Sequence, residues 1–353
     1  MEVVFLRRSD LQVLDFGFVD RNFQIVIDSV IPQKSTFEVN KQNITADAGD
    51  LLVIKDKTVN YIGIIVSMEE DSKKYTTSVQ TTDFTSILDI QVKLKSYSGN
   101  MTDYLYNLIA AAYVTNSDPK QKIPYLTINK DYSSVKGTLN YEADTLGSIT
   151  SLVETLNKAY SIGVRYTLEY ENGRIVGIVL HIANCTKGAV IKHTLAAISN
   201  LVISNDSTQT TNKMEFIPSD ENVSHKSTVC YYLTKDGRIT TSATDSERFT
   251  SVCSKQKIFK DDDYATLETT AQAEMLSSSL EHNIAFEICM DNKVVVPFKD
   301  INVGDFIRFI APAKSYDTMV TQISLKNTTA TASITLGEYR GSLTDKIKLL
   351  SKK

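Results

Sequence analysis

Gly304-Asp305-Phe306-Ile307-Arg308-Phe309, near one end of this 353-residue chain, repeats in kind Gly49-Asp50-Leu51-Leu52-Val53-Ile54 near the other. A tyrosine follows each glycine at the same separation, Tyr61 in one copy and Tyr316 in the other. Each tyrosine leads into a strand pattern. Ile62, Ile64, Val66 and Met68 fall on one face of the first, and Met319, Ile323 and Leu325 on one face of the second. A further alternating run closes each copy, Tyr75, Thr77 and Val79 in one and Ala332, Ile334 and Leu336 in the other. A side-chain period of two is what a half-buried strand requires. Gly-Asp supplies the preceding turn, because glycine takes a positive φ without steric cost. Gly-Asp before an apolar run is common in β proteins, but three matched features in one order favour duplication. The predicted fold class is mainly β with α+β insertions, in which two similar small β-barrel (or sandwich) domains frame α/β segments.

The rest of the chain divides around these copies. Residues 1–92 form the first β-barrel: Phe23, Ile25 and Ile27 alternate after the Asp20-Arg21-Asn22 turn, and Phe84 to Leu88 reads as a closing helical turn. Residues 93–186 form an α/β domain. Leu105, Leu108, Ile109 and Ala112 recur at helical spacing, with Thr102 and Asp103 as capping residues. A second helix places Leu146, Ile149, Val153, Leu156 and Tyr160 on one stripe, capped by Asp144 and stopping before Gly163. A hairpin from Val164 to Ile182 follows, turning at Asn172-Gly173, a strong hairpin signal. Residues 187–220 are strands. Residues 221–292 contain a hairpin turning at Lys235-Asp236-Gly237-Arg238 and a helix from Tyr264 to His282, expected to pack with the α/β domain. Residues 293–343, entered by strands Ile284–Met290 and Val294–Phe298, form the second β-barrel. Residues 344–353 are an amphipathic C-terminal tail.

Composition narrows the function classes. Lys+Arg 38 against Asp+Glu 42 gives a net charge of −4, without the basic excess expected of a protein that grips nucleic acid. Cys185, Cys230, Cys253 and Cys289 stand singly, which suits reduced thiols rather than a disulfide frame. No apolar run has the length of a membrane span, so no membrane anchor is expected. Met1 to Arg8 reads as a first strand rather than a secretory signal, implying folding in a cytoplasm.

No constellation for catalysis stands out. His181, His193, His225 and His282 are isolated, and no HExxH, GxSxG, phosphate-binding glycine loop or GxGxxG is present. Asp261-Asp262-Asp263 could hold Ca²⁺ or Mg²⁺, but further oxygen ligands at fixed offsets do not follow. Acidic residues complementing a helix N-terminus explain the cluster better. Glu69-Glu70, beside Asp71 and Lys73-Lys74, reads as a solvated hairpin loop. No catalytic, cofactor-binding or metal residue is therefore nominated, and no cofactor.

The order barrel, helix-containing insert, helix, barrel resembles the baseplate hub proteins of tailed bacteriophages, including their tail-associated (Tal) proteins. The residues that carry the resemblance are Gly49-Asp50 through Leu88, Tyr231-Tyr232-Leu233-Thr234-Lys235-Asp236-Gly237-Arg238-Ile239-Thr240, Ala273 to Leu280, Val303-Gly304-Asp305-Phe306 and Ile334-Thr335-Leu336-Gly337-Glu338-Tyr339. The resemblance implies a homotrimer whose duplicated barrels make a ring of six modules, an adapter between a hexameric tail ring and a threefold tip. It implies as partners the distal tail protein ring, the tape measure protein, and spike or receptor-binding proteins at the tip. DNA would pass through the channel without specific binding, at the virion tail tip. It further implies that the second barrel is discontinuous, with Lys187 to Pro218 joining Val294 to Leu343. Relatives often carry a C-terminal cell-wall-degrading or fibre-like domain; the sequence as given has none, so it is either a minimal hub or one whose extension has been removed, and the chain is expected not to be an enzyme. Two alternatives stand beside this: a tail-associated peptidoglycan endopeptidase, and an OB-like carbohydrate- or nucleic-acid-binding module.

Overall fold

The computed structural model describes residues 1–337 apart from 30–32, 56–58, 131–134, 140, 142–144, 206–210, 235–237, 250–251, 279–281, 313 and 327–330. Asp144, the Lys235-Asp236-Gly237 turn and the C-terminal tail lie outside the described residues. The chain divides into two units, one of Met1–Val202 with Ala285–Lys353 and one of Ile203–Ile284.

The larger unit begins with β1 (Glu2–Leu6), β2 (Val13–Asp28), β3 (Lys34–Val39), β4 (Leu51–Lys55), β5 (Asn60–Asp71) and β6 (Thr76–Asp83). Their lateral order is β1-β4-β5-β6-β3-β2, and β2 pairs back with β1, so the first barrel closes. Val3, Phe5, Val39, Leu52, Ile54, Tyr61, Ile65 and Val79 are buried, with Phe37 tilted on Tyr61 at 5.8 Å between ring centroids. Burying each such side chain contributes about 1.5–3 kcal/mol. A 3₁₀ turn at Phe84–Leu88 ends the barrel, as the sequence predicts.

The second barrel is built from β7 (Thr186–Lys192), β8 (Ile198–Asn205), β9 (His282–Cys289), β10 (Phe306–Ile310), β11 (Ser315–Lys326) and β12 (Thr331–Gly337). Their lateral order is β7-β10-β11-β12-β9-β8, strand for strand that of the first barrel. Register agrees too. Leu51 opposes Ile64 and Ile54 opposes Tyr61, while Phe306 opposes Met319 and Phe309 opposes Tyr316. Each long strand carries a bulge at the same place, between Ile65 and Ser67 in β5 and between Val320 and Gln322 in β11. A bulge slips the side-chain alternation. It corrects the expectation that Val66 shares a buried face with Ile62, since Val66 is exposed. The copies differ in one strand direction: β1 runs antiparallel to β4, whereas β7 runs parallel to β10.

Between the barrels lies the α/β layer. Helix α1 (Met101–Tyr113) is capped by Asn100, two residues before the expected Thr102, because the Asn100 side chain accepts the Thr102 N–H. Helix α2 (Ile149–Tyr160) starts later than expected, on a Ser148 cap, and leaves Leu146 exposed in a short strand. The strands Ile162–Glu171 and Arg174–Asn184 form the expected hairpin, with Asn172 and Gly173 both at positive φ, and Leu126–Lys130 joins in parallel.

Several segment boundaries move. Of residues 187–220, only those of β7 and β8 join the second barrel, whereas Lys213–Pro218 lies in the smaller unit. There it pairs with Val229–Leu233 and, in parallel, with Ser254–Phe259. The helix expected over Tyr264–His282 is a 3₁₀ turn at Asp261–Thr266 followed by α3 (Leu267–Ser278), and His282 opens β9. Leu267, Ala271 and Met275 of α3 bury against Met214, Phe216, Leu233 and Phe259 of the smaller unit's own sheet. The strand expected at Val294–Phe298 is a loop. The Asn292 side chain accepts the Val294 and Val295 N–H groups and turns the backbone away from a ladder.

Candidate assembly interface

Strand β2 is longer than its own barrel needs. Its first half pairs with β1 and β3, and Gln24 to Asp28 then run antiparallel to Gln322–Lys326 of β11. This ladder is the seam that makes the two barrels one twelve-stranded sheet. Ile25, Val26, Ile323 and Leu325 are buried along it. Gln322 Nε2 donates to Asp28 Oδ2 at 2.9 Å, and the Ser29 N–H donates to the Thr321 carbonyl at 2.9 Å.

The α/β layer braces both barrels. Val4, Leu6, Leu51, Val53 and Ile62 on the outside of the first barrel share one core with Leu105, Ile109, Ile149, Leu152 and Leu156 of the helices. Against the second barrel the contacts are polar: Asn157 Nδ2 donates to the Gly304 carbonyl at 3.2 Å, and Arg165 pairs with the fully buried carboxylate of Asp305.

At this junction Asp83 Oδ1 accepts the Thr85 N–H at 3.0 Å and Oδ2 accepts the Tyr166 hydroxyl at 2.8 Å, while that hydroxyl receives the Ile62 N–H at 3.1 Å. Burial pushes the Asp83 carboxyl up from its ordinary value, against the pull of its hydrogen bonds. Burial, then the nearby Asp83 charge, raises the Tyr166 phenol well above its own. Asp83, Tyr166, Arg165 and Asn157 line a cavity of about 160 Å³. An acid of raised pKa beside a cavity can mark chemistry. Here the carboxyl caps a 3₁₀ turn and orients a tyrosine that holds a strand, which is a complete structural role.

The residues weighed from sequence fall in separate places. His181 Nε2 meets Thr167 Oγ1 at 2.7 Å, and burial lowers its pKa; His193 Nδ1 meets the Ile310 carbonyl at 3.0 Å. His282 is buried in β9. Asp261 accepts the N–H groups of Val223, Ser224 and His225, which hold its carboxyl down at about 2. His225 also stacks on Tyr264 at 3.6 Å. Glu69 and Glu70 are exposed on the outer half of β5, and Glu70 accepts the Asn43 N–H. All four cysteines are thiols rather than disulfides. Among the described residues no group of three or more His, Cys, Asp or Glu could hold a metal ion.

No protein-family model matches the sequence, and no curated protein does. Solved structures do match. The prophage tail protein gp18 from Listeria monocytogenes EGD-e superposes with a TM-score of 0.55 at 12% identity, over 100% of this chain and 99% of its own. This chain has the fold of phage tail and baseplate proteins. A 43 kDa tail protein of prophage MuSo2 from Shewanella oneidensis gives 0.55 at 11% identity, covering 95% of this chain and 98% of that one. A chain of the phage P2 baseplate, in its activated conformation with Ca, gives 0.51 at 10% identity over 95% and 98%. At such identities the likeness is one of fold.

Within this tail-protein fold the two modules present different outer surfaces. Leu51-Leu52-Val53-Ile54 is buried on both faces, whereas in Phe306-Ile307-Arg308-Phe309 the side chain of Arg308 is exposed and paired with Asp317 at 2.7 Å. A continuous apolar run against an alternating one is the sequence signal for a doubly covered strand. The seam left a weaker trace, since its residues read as ordinary strand.

Proposed function

We propose that this chain is a structural, non-enzymatic hub of a phage tail or tail-like particle. Three copies join into a collar of six barrels. The collar meets a hexameric tail ring on one side and a threefold tip on the other. One observation carries the reading: a single chain holds two modules with the same strand order, register and bulge, joined edge to edge by β2 and β11. Matching a sixfold face with three chains needs two equivalent modules per chain. The baseplate membership of a chain with this fold supports the same reading. The distal tail ring, the tape measure protein and the tip proteins are the partners that fit such a collar. A net charge of −4 suits a bore through which DNA must slide rather than stick.

Analytical ultracentrifugation, followed by electron microscopy with purified distal-tail rings, tests the proposal. The expected species is a trimer that caps the rings. A stable monomer that leaves the rings bare would sink it. Clearing of host cell walls in a zymogram by the purified chain would overturn the non-enzymatic half.

A further inference from the structure

The seam within the chain joins unlike edges: the far half of β2 in the first module meets the far half of β11 in the second. By the shared strand order, β5 is the first module's counterpart of β11, and β8 is the second module's counterpart of β2. Both counterparts keep an open edge among the described residues. β5 pairs with β4 only as far as Ile64, and its next contact on that side is the Ile65 N–H with the Asp50 carbonyl. Beyond the bulge, Ser67 to Asp71 pair on one side only, with β6. β8 has β9 as its one neighbour and ends the path of the sheet.

We infer that the outer half of β5, from Val66 to Asp71, pairs antiparallel with the open edge of β8 in a neighbouring copy of this chain, repeating between copies the seam that β2 and β11 make within one. A head-to-tail contact whose two complementary surfaces remain free at opposite ends closes into a ring when the rotation allows. Unpaired strand edges are the surfaces that accept such additions. The orientation follows from the internal seam. Thr321 turns its carbonyl toward β2, and its counterpart at the bulge of β5 is Val66. Strand alternation then points the backbone groups of Val66, Met68 and Glu70 outward. Charged residues often blunt a free edge, and Glu69, Glu70 and Asp71 could serve that end. Ile198–Asn205, however, contains no acidic residue, so the pairing sets no like charges opposite one another.

The inference rests on the collar reading for the number of copies, and the test separates the two. Glu70→Pro removes an outward N–H at a position where an edge strand tolerates proline. In sedimentation velocity the wild type is expected as a trimer, and E70P as a monomer with unchanged far-UV circular dichroism. Hydrogen exchange on the wild type is the second measurement and decides the matter if E70P fails to fold. The amides of Val66, Met68 and Glu70 should exchange slowly in the assembly and quickly after dilution to monomer. A folded E70P that remains trimeric, or fast exchange of those amides in the wild-type trimer, overturns the seam and leaves the collar standing. A wild type that is monomeric at every concentration overturns both.

Discussion

Asp50 and Asp305 hold two copies of one turn in the same way. Asp50 Oδ2 accepts the Asp47 N–H at 3.0 Å, and Asp305 Oδ2 accepts the Asn302 N–H at 2.8 Å. Each returns its own N–H to that same residue's carbonyl, at 3.1 Å in both. The other carboxylate oxygen marks where the copies diverge. In Asp50 it takes the Arg8 N–H at 3.0 Å, and in Asp305 it takes the Arg165 guanidinium from the α/β layer.

That divergence predicts unequal costs. Asp305→Ala leaves a largely buried guanidinium without its partner and should cost about 3 kcal/mol. Asp50→Ala loses hydrogen bonds from backbone donors and should cost about 1–2 kcal/mol. Urea denaturation of the two variants checks the order, which equal midpoints would contradict.

The glycines before these aspartates predict equal costs. Gly49 sits at φ 99° and Gly304 at φ 89°, and a Cβ at either would meet nothing closer than 3.5 Å. Only backbone strain is then added, so Gly49→Ala and Gly304→Ala should each destabilise by about 1–2 kcal/mol. Thermal melts of the two variants should shift together.

Asp83 predicts a pH dependence. Its carboxyl is raised by burial, so the folded chain binds the proton more tightly than the unfolded one. Its contribution therefore favours folding at low pH and is lost as pH rises above the ordinary value of 3.8 through the raised one. The stability of wild type minus that of Asp83→Asn should fall over that window in a denaturation series from acid to neutral pH. A difference that rises with pH would refute the assignment.

In the smaller unit the sign reverses. The Asp261 carboxyl is held down at about 2 by the Ser224, Val223 and His225 N–H groups, so its contribution is present above 3.8 and lost as pH falls through about 2. Asp261→Ala should free the amides of Val223, Ser224 and His225 to exchange at loop rates, measured by NMR. Unchanged protection would mean that the loop holds itself.

Local chemistry made much of this readable. Asn172-Gly173 could only be a tight hairpin turn, because both residues must take positive φ. Gly49 and Gly304 announced turns for the same reason, and period-two runs after them announced strands. Where a side chain competes with the backbone, period and spacing mislead: Asn292 bends Val294 out of a strand, and Asn100 displaces the cap of α1. The bulges at Val66 and Thr321 shift every later side chain to the opposite face, and period alone does not announce them.

By itself, the sequence determined that a turn-and-strand module occurs twice, because turn chemistry and side-chain period act between residues close along the chain. Only the tertiary structure decided that β7 and β8 complete the second barrel with strands from beyond the smaller unit, and that β2 reaches across to β11. Those ladders form between backbone groups, which every residue other than proline carries alike. No side-chain pattern announces their partner until the cores on either side have brought the edges together.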